Sequence, residues 1–176
     1  MVGEAATNFG FLSGYDARFV RLGEQAERHF ADDPHGTLVK LRLLAEFLAR
    51  EAAARLGVAA RVGETQADLL ARLHRTNPDS CPAGVIELFH GVRTVGNAAV
   101  HGMEGGHGEA LSALKMARQL AIWFHRTFGR DPSFKPGPFR PPRPPPLPPS
   151  PPWAVTAQQV LPLPPFPPLP PFPPLP

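Results

Sequence analysis

The chain has 176 residues with a formal net charge of +3, and residues 1–131 hold fifteen basic and fifteen acidic side chains, so the excess comes from Lys135, Arg140 and Arg143 alone. A balanced folded part lacks the overall basic surplus that duplex binding uses to neutralise phosphates. One cysteine, Cys81, excludes an intrachain disulfide and argues against a Cys-based zinc site.

Five helical patterns follow one another, and no convincing strand. The first runs from about Tyr15 to Phe30, with Tyr15, Phe19, Leu22, Ala26 and Phe30 at steps of three and four. Asp32-Asp33-Pro34 ends it. The second runs from about His35 to Leu56, with Leu41, Leu44, Ala45, Leu48 and Ala52 inward, and Gly57 is its expected stop. Thr65 is placed to cap a short third helix over Gln66–His74, which Asn77-Pro78 closes. The fourth starts near Pro82, which a first turn accepts, and reaches about His101. A glycine-rich loop, residues 102–108, precedes the fifth, about Glu109 to Phe128, which carries Trp123, Phe124 and Phe128 into the core. Short loops between amphipathic helices predict an all-α, compact antiparallel bundle over residues 8–131.

The remainder is different material. Twenty-two of the twenty-five prolines lie in residues 132–176, which predicts a disordered proline-rich tail with no core of its own. From Leu163, a Leu or Phe recurs every third residue, the period of polyproline II. Arg143-Pro-Pro-Pro-Leu-Pro-Pro149 fits a basic-x-x-Pro-x-x-Pro ligand for aromatic grooves, a match that proline density alone would also produce.

On a helical wheel, Val85, Leu88, Val92, Val95, Ala99 and Met103 cluster on one side of the fourth helix. His90, Arg93, Asn97 and His101 share the other, pointing away from the bundle interior. Gly96 in mid-helix costs about 1 kcal/mol relative to alanine and suggests that a neighbouring helix passes close by. The polar stripe has two readings. It is a solvated helix face, or it is a binding face that meets a second copy or a partner. Two imidazoles without a carboxylate suit anion contact or proton transfer, and no Ser or Cys accompanies them for hydrolytic chemistry.

Several segments then look familiar together: Asn8-Phe-Gly-Phe-Leu12, Ala26-Glu-Arg-His-Phe30, Lys40-Leu-Arg42, Leu88-Phe-His90, Arg93 with Gly96-Asn97, Ala99-Val-His101, Ala121-Ile-Trp-Phe-His125, and Phe134-Lys-Pro-Gly-Pro-Phe139. Across about residues 8–140 the chain resembles the helical domain at the N-terminus of type I restriction enzyme R subunits and related DEAD/DEAH helicases. That domain is in turn similar to the HEPN superfamily, many members of which cleave RNA. The superfamily's motif places arginine, a polar residue, three further residues and histidine in series. Asn97 and His101 match; Gly96 stands at the arginine position, with Arg93 three residues too early.

The resemblance implies an accessory or docking domain of a phage-defence restriction protein. The catalytic candidates His101, Asn97 and Arg93 belong to the alternative, a metal-independent ribonuclease. The remaining alternative is a scaffold acting through its proline tail. The helicase and nuclease parts have no counterpart here. No G-x-x-x-x-G-K-[ST] loop is present, and Asp131 is the last acidic residue. No cofactor is implied. Metal binding by His101, Glu104, His107 and Glu109 is not expected, because their spacing fits no standard zinc pattern. The expected partner is a protein or a second copy, with nucleic acid possible but unsupported by net charge. No apolar run approaches the ~20 residues of a membrane span, and no secretory leader is recognisable, so the expected location is the cytoplasm.

Overall fold

The computed structural model describes residues 7–101 and 105–143. The chain divides into two compact units, Met1–Pro146 and Leu147–Pro176, and the second lies outside the described residues. So does the expectation of a disordered tail from residue 144 onward, with its three-residue repeat.

The described residues form an all-α bundle without strands: α1 (Ala17–His29), α2 (Pro34–Arg55), α3 (Gln66–Thr76), α4 (Ala83–Val100) and α5 (His107–Phe128), preceded by a 3-10 turn over Gly10–Gly14. No helix among them is long and apolar enough to cross a membrane.

Local chemistry sets the helix ends. Asp16 caps α1 by accepting from the Arg18 amide, and Thr65 caps α3 by accepting from that of Asp68 at 3.2 Å. Asp33 both ends the α1–α2 turn and caps α2, accepting from Gly36 N at 2.7 Å, with Pro34 in the first turn. At the other end of α2, Gly57 adopts φ +70°. Its amide donates to Ala54 O at 3.2 Å and that of Val58 to Ala53 O at 2.8 Å, a Schellman stop.

Helix α2 is the central element and packs against all four others. Leu38, Leu41, Leu44, Ala45, Leu48, Ala49, Ala52 and Ala53 are all buried. Around them sit Phe9, Phe19, Phe89 and Phe124, each fully enclosed. Small residues on α2 and on α5 (Ala110, Ala113, Ala117, Ala121) let the helices approach closely enough to hold these rings between them.

Residues 132–143, read in the sequence as the start of the tail, lie against this bundle. Phe134 packs on Phe11 and His125 at ring distances of 5.1 and 4.4 Å. Backbone carbonyls are captured at every third residue. Arg126 Nε donates to Phe134 O at 3.0 Å, an Arg118 nitrogen to Gly137 O, and Asn8 Nδ2 to Arg140 O at 2.7 Å. A step of three is the polyproline II period, so the three carbonyls lie along one edge of an extended segment.

Candidate functional site

The sequence wheel needs a correction at α4. Its buried face is Val85, Phe89, Val92, Gly96 and Ala99, whereas Leu88 and Val95 are half-buried and Val100 is 53% exposed. Met103 lies outside the described residues. The inward arc thus takes in Phe89 and Gly96, which the wheel did not place on it, and the cause is Gly96. A Cβ there would stand 2.7 Å from Arg42 Cβ, 3.1 Å from its Cδ and 3.3 Å from its Cγ. The absent side chain lets α2 approach, and the approach buries that side of α4.

The polar stripe therefore does not oppose the interior. His90, Arg93 and Asn97 are half-buried, and only His101 is exposed. Arg42, which sequence reasoning did not place at the site, lies across Gly96 from α2. It belongs to a different helix, so no periodicity in the sequence links it to the stripe, and only the interhelical approach joins the two.

Polar atoms of the stripe are left unused. Arg42 Nε, His90 Nδ1 and Arg93 Nε are buried nitrogens without a hydrogen-bond partner. No hydrogen bond or ion pair engages the side chains of Arg42, His90, Arg93, Asn97 or His101 among the described residues. The nearest carboxylate along α2 in sequence, Glu46, is paired with Arg50 at 2.7 Å.

Other polar groups are already committed. His107 Nε2 donates to Ala31 O at 3.0 Å, and Glu109 Oε2 accepts from Gly106 N at 3.0 Å. Among the described residues no group of three or more His, Cys, Asp or Glu is placed to hold an ion; Glu104 lies outside them. His74 Nδ1 donates to Cys81 O at 2.9 Å. A hollow of about 520 Å³ lies beside Phe11, Tyr15, Arg55, His125 and Phe128. The Tyr15 hydroxyl and His125 Nδ1 stand 3.1 Å apart, and Arg55 binds Glu51 at 2.8 Å while lying over the Tyr15 ring at 5.2 Å. Burial pushes the Tyr15 phenol up, an effect the Arg55 charge partly offsets.

Along 130 residues, 73% of its length, the chain is 31% identical to the type I restriction enzyme EcoKI endonuclease subunit of Escherichia coli strain K12. It contains a restriction-enzyme-related domain. The chain spans 11% of that relative's length. No family model matches the chain, and no solved structure does. The similarity to HEPN domains is carried by none of these comparisons.

Within this restriction-related domain, Arg93, Asn97 and His101 follow one another at one helical turn along α4. Arg93 and His101 are eight residues apart on one helix, about 12 Å of rise. Gly96, at the motif's arginine position, is covered by the Arg42 side chain.

Proposed function

We propose that the bundle is a non-catalytic docking domain of a type I restriction endonuclease-like protein of phage defence. Its contact surface is the flank of α4 bearing His90, Arg93, Asn97 and His101, joined by Arg42. The observation that carries this reading is the proportion of the match. Most of this chain is similar to a small part of a much larger endonuclease subunit. A domain of that kind works by what it touches.

The chemistry of the stripe supports contact over catalysis. It offers donors and no nucleophile. Gly96 stands where the ribonuclease motif has its arginine, which weighs against ribonuclease action with His101 moving protons and Arg93 steadying charge. The expected partner is another part of the restriction protein.

The test is hydrogen exchange of the full chain with and without the remaining portion of a type I endonuclease subunit, supplied as a separate polypeptide. Slowed exchange across residues 90–101 is the expected result. Unchanged exchange there, or RNA cleavage by the clean chain that vanishes in His101→Ala, overturns the reading.

A further inference from the structure

We infer that the α2–α4 seam receives side-chain carboxylates, so that the partner presents a short acidic polypeptide segment to Arg42, His90 and Arg93. The inference rests on the docking reading above and names the chemistry of the surface that meets it.

A buried donor left without an acceptor costs about 1–3 kcal/mol, and folded proteins leave few of them. Two such donors flank Gly96 here, Arg42 Nε and Arg93 Nε, and His90 Nδ1, one turn before Arg93 on α4, is likewise buried without a partner and donates when the imidazole is protonated. Arg118 also has an unpartnered Nε, yet its guanidinium donates elsewhere, to Gly137 O. Arg42 and Arg93 donate to nothing among the described residues. Gly96 brings them together: Arg42 crosses α4 there, with Arg93 one turn before it and Asn97 immediately after.

Glu46, the nearest carboxylate along α2, is held by Arg50, and no carboxylate of the described residues bonds either arginine. A carboxylate is planar and matches the guanidinium fork in two parallel bonds once the half-buried side chain turns its Nε–H outward. A nucleic-acid strand would bring phosphates instead, but residues 1–131 carry no net positive charge to attract one. From His90 to His101 the stripe is about 17 Å long, which matches about five extended residues.

The experiment follows the arginine Nε–H resonances of the intact chain by nitrogen-15 NMR during titration with a synthetic Glu-rich peptide. A Gln-rich peptide of equal length and a single-stranded oligonucleotide are titrated in parallel. The Glu-rich peptide is expected to shift the Arg42 and Arg93 Nε–H signals and to bind more weakly as salt rises. Arg93→Gln and Arg42→Gln are each expected to weaken binding about tenfold, the loss of one charge-assisted hydrogen bond. Both should keep the helical circular dichroism of the parent, since neither removes an existing bond. A response to the oligonucleotide alone, an equal response to the Gln-rich peptide, or no response at millimolar peptide overturns the inference. If exchange across residues 90–101 slows on adding the endonuclease portion while the peptide does nothing, docking stands and the carboxylate assignment fails. Peptide binding without that slowing leaves the carboxylate assignment standing and overturns the docking.

Discussion

The side-chain amide of Asn8 pairs with the backbone of Arg140 from both sides. Asn8 Nδ2 donates to Arg140 O at 2.7 Å, and Arg140 N donates to Asn8 Oδ1 at 2.9 Å. The same Nδ2 and the Asn8 backbone amide also donate to Glu27 Oε1, at 2.6 and 3.0 Å. One residue, only 8% exposed, thus ties the first turn, α1 and the exit segment together.

Asn8→Ala removes these side-chain bonds and leaves the Glu27 carboxylate with fewer donors. The expected loss is about 1–3 kcal/mol of stability, together with rapid exchange of the Arg140 amide. Denaturant melts and residue-resolved hydrogen exchange check both. Asn8→Asp should be worse than alanine, because it sets a second carboxylate against Glu27.

Two glycines of α4 should respond to alanine with opposite sign. Gly84 is exposed with open space around it, so Gly84→Ala should stabilise the bundle by about 0.5–1 kcal/mol through helix propensity. Gly96→Ala brings the same gain but drives a Cβ to 2.7 Å from Arg42 Cβ, an atom that no rotamer change moves away. Overpacking of about 1–3 kcal/mol exceeds the gain, and a lower thermal midpoint is expected. Equal midpoints for the two variants would contradict the close α2–α4 approach.

The Cys81 thiol is fully buried, and burial pushes its pKa to about 11. The thiolate is the reactive form, so alkylation by iodoacetamide at neutral pH should proceed at the rate of transient opening rather than at that of a free thiol. Labelling followed by mass spectrometry, with and without denaturant, measures the contrast.

Acid should weaken the bundle at its α2–α3 loop. Arg72 Nε and Nη2 hold both Glu64 oxygens at 2.7 and 2.8 Å, and this hydrogen bonding lowers the Glu64 pKa. The backbone amide of Gly36 does the same for Asp33. A depressed carboxylate contributes stability above its unfolded pKa and loses it as pH falls through the folded one. The thermal midpoint should therefore hold near neutrality and decline below about pH 4. In Glu64→Gln the same decline should be shallower, a difference that thermal melts across this range detect.

The fold is largely legible in the sequence because its signals are local. Thr65, Asp33-Pro34 and Gly57 act within four residues of themselves, and the α2 stripe Leu41, Leu44, Ala45, Leu48 and Ala52 repeats at helical period through the core. The fourth helix is harder. Its face is set by how near α2 comes, which depends on Gly96 meeting Arg42 from a different helix, and a wheel drawn from one helix cannot contain that. Residues 132–143 mislead for the opposite reason. Proline density reads as a segment that builds nothing, but such a segment leaves carbonyls free, and Arg118, Arg126 and Asn8 supply the donors from elsewhere in the chain. Of the stripe, the residue types and spacing are visible in the sequence and the partnerless state is not, since that requires knowing where every acceptor goes.

The pairing of Asn8 with Arg140 has a further consequence, for traffic through the fold. A chain entering at one and leaving at the other does so through the same doorway, although 132 residues separate them. Domains whose entrance and exit coincide can be spliced into a longer polypeptide, or lifted out of it, with little disturbance to the geometry on either side. Joining residue 143 back to residue 7 by a short Gly/Ser linker and reopening the chain within the exposed stretch 59–63 should therefore give a protein with the same helices in the same packing.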